Sequence, residues 1–212
     1  MYIPPHFEQT DTLALHALVR AHPLATLITR DAQGVCVNHI PLLLSDEPPY
    51  DVLTGHVPRA NPLWHGLSDQ EVIAIFQGPN AYISPSWYES KRVSGKVVPT
   101  WNYAVVHAHG HARVVEDAAW LRAHLTQLTD CHEAGRAQPW AVSDAPAEFT
   151  DKLLGNLVGL EITITQWVGK WKLSQNRSAA DRAGVVAGLR QQGDAADLQL
   201  AGLMDDAQFG QP

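Results

Sequence analysis

The chain has 212 residues, 45% of them hydrophobic and 17% charged, with a formal net charge of −7. That length and composition suit a fold with a real core, as one large domain or two small ones, and no apolar run approaches the ~20 residues a membrane span needs. The acidic balance argues against a protein whose main business is nucleic acid, because a basic face releasing counterions supplies most of that affinity.

The start, Met1-Tyr2-Ile3-Pro4-Pro5, has neither the basic nor the apolar stretch of a secretory signal, so the expected compartment is the cytoplasm. The two cysteines, Cys36 and Cys131, have no CxxC partner and are expected to be ordinary reduced thiols.

In chain order, Thr10 or Asp11 caps a predicted helix that runs to about His22 and stops at Pro23. Leu24 to Thr29 is short, apolar and β-branched. Asp31-Ala32-Gln33-Gly34 supplies a turn, and Val35 to Leu44 is the hairpin partner, with Pro41 marking an edge or a bulge. After a loop at Pro48-Pro49, Asp51 to His56 reads as a third strand. Asn61-Pro62 opens a short helix through Trp64, and Glu71 to Phe76 is a fourth strand. Gln77 to Pro99 reads as a long functional loop. Thr100 to Val115 is the longest strand, followed by a helix capped by Asp117 and a second helix from Ala147 to Leu154. Val158 to Trp167 is β-rich, and Ser178 caps a last helix to about Leu189. Residues 1–190 are therefore expected to form a single domain, with a loose Gly-, Asp- and Gln-rich tail from Gln191. Six short strands among helices, without a βαβ rhythm, point to a mainly antiparallel barrel of the α+β class.

Several stretches carry chemistry, and each also has a purely structural explanation. Leu53 to Trp64 runs from a strand end, through His56 and Arg59, into a helix start at Asn61. Free amides at such a start suit an anion, and the planar fork of Arg59 suits phosphate. Ala81 to Tyr88, with Ser86 and Trp87, precedes Lys91, Arg92 and Lys96, and aromatics with hydroxyls and cations suit a flat phosphorylated ring. Thr100 and Asn102 share one strand face, Trp101 and Tyr103 the other. Gly169 to Arg177 places Lys170 and Lys172 beside Ser174, Gln175 and Asn176, a ligand edge, a dimer contact or a solvated turn. His107, His109 and His111 share a face, but three imidazoles on one flat strand do not converge on one ion, so no metal is expected. No catalytic triad, Cys-His pair or paired carboxylates can be read from spacing, and no general base is nominated.

Taken together and in order, several strings resemble the PaiB-type FMN-binding negative transcriptional regulators. They include HPLATLIT (22–29), GHVPRANPLW (55–64), FQGPNAYISPSWY (76–88), GKVVPTWNYAVVHAHG (95–110) and GKWKLSQNRSAADRAGV (169–185). The resemblance implies a split β-barrel with flanking helices, similar to pyridoxamine 5′-phosphate oxidases. It also implies a homodimer and flavin mononucleotide (FMN) as cofactor. Arg59 would hold the flavin phosphate with Asn61 beside it, and Thr100 to Tyr103 with Ser174, Gln175 and Asn176 would line the ring. Where the oxidases carry a second basic residue after that arginine, this chain has Ala60, and Lys96 is a candidate replacement. The name of the family also implies DNA, although nothing here reads as a helix-turn-helix with a basic recognition helix. Three functions stay open at this point: an FMN-binding sensor or repressor, an FMN-dependent oxidoreductase, and a haem-handling split barrel.

Overall fold

The structure, a computed structural model, describes residues 1–45 and 51–206, so the loop expected at Pro48-Pro49 lies outside the described residues. The elements run β1 (Glu8–Gln9), α1 (Thr12–Ala21), β2 (Leu24–Asp31), β3 (Gly34–Pro41), β4 (Leu43–Leu44), β5 (Val52–Pro58) and β6 (Glu71–Ile83). Next come α2 (Ser90–Ser94), β7 (Thr100–Val115), α3 (Ala118–Glu133), α4 (Ala147–Leu154), β8 (Leu157–Lys172), α5 (Ala179–Gln192) and α6 (Ala195–Asp206). Hydrogen-bonded neighbours follow the order β3-β2-β6-β7-β8-β5-β4, with β1 on β8. The α+β, mainly antiparallel class expected from the sequence therefore holds.

The chain forms two compact units. One comprises Met1–Leu18, Gln77–Val106 and the chain from Val168 on; the other comprises Val19–Phe76 and His107–Trp167.

In the second of these, β2 and β3 make a hairpin in register from Leu24 opposite Pro41 to Asp31 opposite Gly34. Asp31 Oδ1 accepts from Gln33 N at 2.7 Å, which closes the turn. β3 lies at the edge of the strand order, one of the two readings of Pro41, and stops at that proline, while β4 pairs with β5. β5 lies along β8 from Val52 opposite Thr163 to Pro58 opposite Leu157. Leu27, Leu53, Val57, Val158, Leu160, Ile162 and Leu121 bury this unit's core. β7 passes His107, His109 and His111 without interruption. Gly110 serves close approach, since a Cβ there would sit 2.3 Å from Thr163 O.

In the other unit, Glu8 and Gln9 pair with Lys170 and Gly169. Asp11 caps α1, its Oδ1 accepting from Leu13 N at 3.0 Å. The long loop expected from Gln77 is instead the continuation of β6 to Ile83, then a 3₁₀ turn at Pro85–Trp87 and α2. Gly78-Pro79-Asn80 reads as a breaker, and the burial alternation shifts by one there, but it resumes at Pro79, Ala81 and Ile83 and the strand continues, so packing overrides the local signal. The segment from Gln191, expected to be loose, carries α6, which buries Leu200, Ala201 and Met204. Its polar composition hid three apolar residues at helical spacing.

Candidate functional site

In the unit that holds β5, the strand ends at Pro58 and delivers Arg59 to a tight turn, with Asn61 N donating to Pro58 O at 2.8 Å. The inner edge of the guanidinium is fixed by backbone carbonyls: Nε donates to Gly155 O at 3.1 Å and Nη2 to Leu157 O at 3.2 Å. Its outer edge reaches a carboxylate, Nη1 donating to Glu116 Oε2 at 2.5 Å. The Trp64 ring lies 5.6 Å below the guanidinium carbon, and Trp64 Nε1 donates to Arg59 O at 3.0 Å. Both Arg59 and Glu116 border a cleft of about 900 Å³, lined further by Leu121, Arg122, Asp151 and Leu154. A guanidinium held from behind by neutral acceptors, with its charge offered to a cleft, is a preorganised anion receptor.

Asn61 caps the short turn through Trp64, as the sequence predicts. Its Oδ1 accepts from Leu63 N at 3.0 Å and its Nδ2 donates to Asn38 Oδ1 at 3.0 Å. The helix it opens is a single 3₁₀ turn, Pro62–Trp64. One turn stacks too few peptide dipoles to make a helix-end anion site, which leaves the Arg59 guanidinium as this turn's candidate anion-binding group.

His56 finds a partner that spacing did not announce. Its Nδ1 lies 3.1 Å from Nε2 of His124 on α3, whose Nδ1 lies 3.2 Å from Thr54 Oγ1. Trp120 stacks on His124 with centroids 5.3 Å apart and planes 14° from parallel. Burial, then the neighbouring His56, lowers the His124 pKa to about 4, and burial lowers that of His56. Thr54 and His56 alternate on a strand while Trp120 and His124 are four apart on a helix, and those two spacings were the available signal.

In the other unit, the strand and loop residues proposed for a flavin ring do converge. Lys172 Nζ donates to Thr100 Oγ1 and, at 2.7 Å, to Trp101 O. Burial, then the charges of Lys170 and Arg177, lowers the Lys172 pKa. Asn102 is fully buried, and its Nδ2 donates to Ser174 Oγ at 2.9 Å. Ser174 adopts φ +64°, a left-handed conformation that a non-glycine residue holds only when its surroundings impose it. Gln175 braces this corner, accepting from Leu173 N at 2.7 Å and donating to Trp171 O at 2.5 Å. Asn176 is exposed. Trp101, 54% exposed, meets the equally open Tyr82 edge to face, centroids 6.2 Å apart.

Tyr88 is buried under Arg177, 4.8 Å above its ring, and its hydroxyl has no hydrogen-bond partner among the described residues. Burial raises its pKa, opposed by Arg177. Lys170, for which the sequence left a ligand edge, a dimer contact or a solvated turn open, is buried, donates to Tyr2 O at 3.1 Å and lies 5.3 Å from the Tyr103 ring. Ser86 Oγ accepts from Lys91 Nζ at 3.1 Å, Trp87 packs against α5, and Lys96 is exposed with its backbone N donating to Ser94 Oγ. His107 and His109 are half-buried with ring centroids 6.5 Å apart, and no group of three or more His, Cys, Asp or Glu among the described residues could hold a metal ion. Both cysteines are free, and no described helix is long and apolar enough to cross a membrane.

The profile of a family described as "Putative FMN-binding domain" matches residues 1–166. The "Protease synthase and sporulation protein PAI 2" of Bacillus subtilis (strain 168) is 31% identical over 207 residues, 97% of this chain and 97% of the relative. Among solved structures, the FAD and heme binding protein of Mycobacterium smegmatis superposes with TM-score 0.61 at 18% identity, covering 83% of this chain and 78% of that one. The flavocytochrome Anf3 of Azotobacter vinelandii gives TM-score 0.58 at 16% identity over 86% and 78%. At those identities the two structures speak for the fold alone, and the fold is shared.

Proposed function

The chain belongs to the family described as "Putative FMN-binding domain", and from that premise we propose that it is an FMN-binding regulator, working as a homodimer, with Arg59 as the anchor of the flavin phosphate. FMN is its cofactor. The observation that carries the assignment of the anchor is the Arg59 guanidinium, held by Gly155 O and Leu157 O with its charged outer edge on a cleft. Phosphate prefers that planar fork to a lysine ammonium, because two parallel N–H groups meet two of its oxygens.

The residues expected at the flavin ring lie in the other unit. Asn102 and Ser174 are buried and bonded to each other, so they brace the corner, while half-buried Thr100 and the Lys172 ammonium are the groups of the kind that read a flavin ring edge. Gln175 holds their loop, and Trp101 offers an exposed aromatic face. Bound FMN supplies one- and two-electron redox chemistry; the protein's part is to position it and set its electrostatics. Lys172, its ammonium destabilised by burial, would favour the form of the ring carrying negative charge.

The regulator reading is supported by the similarity to a relative named for protease synthesis and sporulation. Direct DNA contact is the less supported half of it, given a net charge of −7.

Two experiments test the proposal. Arg59→Ala should weaken FMN binding about tenfold or more while the circular dichroism spectrum stays unchanged; equal affinity would show the phosphate lies elsewhere. Oxidation of NADH or NADPH by the holoprotein should not exceed that of free FMN at equal concentration. Turnover well above that background would move the function from regulator to FMN-dependent oxidoreductase.

A further inference from the structure

The anchor proposed for the phosphate already has an occupant drawn from this chain. Gly155 O and Leu157 O are neutral acceptors, so they orient the Arg59 guanidinium without cancelling its charge. The countercharge comes from Glu116, 2.5 Å from Nη1, on the outer edge facing the cleft. Glu116 sits between the end of β7 at Val115 and Asp117, the residue that caps α3. Its backbone place is therefore fixed, while its side chain is 55% exposed and has a free path to water; the Arg59 side chain is 39% exposed. The cleft's other arginine, Arg122, is paired with Asp151, so it does not draw Glu116 away.

We propose that Glu116 is a built-in competitor for the phosphate anchor, setting a threshold that a phosphate monoester crosses and a monoanion does not. This rests on the assignment of Arg59 as the anchor. An exposed ion pair is weak and is easily exchanged. A ligand carboxylate that displaces Glu116 trades one monoanion for another and gains nothing. A phosphate monoester brings a charge of about −1.5 to −2 and three acceptor oxygens, so it still gains after Glu116 has swung into solvent. Riboflavin, lacking the phosphate, does not meet the pair at all. Until the ligand arrives, Glu116 neutralises the guanidinium and keeps adventitious carboxylates off it.

The test is a set of fluorescence titrations with FMN and with riboflavin on the intact protein and on Glu116→Gln, Arg59→Ala and the double variant, each checked by thermal unfolding. Glutamine keeps the length and an acceptor oxygen but removes the charge. The expected result is that Glu116→Gln tightens FMN about fivefold, changes riboflavin less than about twofold, and has no further effect once Arg59 is alanine. If Arg59→Ala weakens FMN but Glu116→Gln leaves it unchanged or weakens it, the threshold is overturned and the anchor stands. If Glu116→Gln tightens FMN and riboflavin alike, the effect is not competition for phosphate, and the inference fails. If Arg59→Ala leaves FMN affinity unchanged, the anchor falls and this inference with it.

Discussion

At the scale of single residues, the buried imidazole pair makes a quantitative demand on stability. His124 has an ordinary pKa of 6.5 brought down to about 4 by burial and by His56. Above pH 6.5 both folded and unfolded states carry it neutral. Between pH 6.5 and about 4 the unfolded chain takes up the proton and the folded chain resists it, so stability falls as pH falls, by up to about 3 kcal/mol. His124→Gln should flatten that part of the pH–stability curve measured by urea unfolding; an unchanged slope would mean the imidazole is not the group responsible. Asn102→Ala should cost about 1–3 kcal/mol in the same assay, because it strips the partner from a buried Ser174 already held in a left-handed conformation. Part of this was legible beforehand. Thr100 and Asn102 share a face by strand period, and Arg59 follows a strand end. The contact of Asn102 with Ser174, 72 residues away, and that of His56 with His124 depend on which strands and helices meet, and no local pattern encodes that.

At the scale of elements, caps and β-branched runs located most of the fold, and the failures have a common cause. β7, α3 and α4 begin where the sequence places them, at Thr100, after the Asp117 cap, and at Ala147. The sequence ends the fourth strand at Phe76 and the last at Trp167, whereas β6 runs to Ile83 and β8 to Lys172. In each case glycine, proline or charge read as a loop, while the strand had partners and burial to sustain it. α5 shows glycine used for approach: Gly184 and Gly188 lie four apart on the face that meets Trp87. A Cβ on Gly188 would come within 2.3 Å of Trp87 Cδ2, and one on Gly184 within 2.0 Å of Trp87 O. Gly188→Ala should therefore push α5 off the Pro85–Trp87 turn and cost about 1–3 kcal/mol. A variant as stable as the parent by thermal unfolding would show that the turn yields freely.

For the molecule as a whole, the C-terminal helix is part of the structure rather than an appendage. α6 buries Leu200, Ala201 and Met204, and Met204 Sδ lies 3.8 Å from Asn102 Nδ2. Removing residues from Gln191 onward should destabilise the protein by several kcal/mol, since each buried Leu or Met side chain contributes about 1.5–3 kcal/mol; an unchanged melting temperature would return α6 to the status of a tail. The family of the whole chain was legible in its long aromatic strings, whereas the engagement of Arg59 by Glu116 was not, because it joins a turn to a strand end far along the sequence. The proposed function turns on this chain holding FMN. The most direct measurement is to titrate the purified protein with FMN, denature the complex and identify and count the released chromophore by mass. Saturable uptake close to one FMN per chain is expected. A protein that comes without flavin and takes up none at saturating FMN would contradict it.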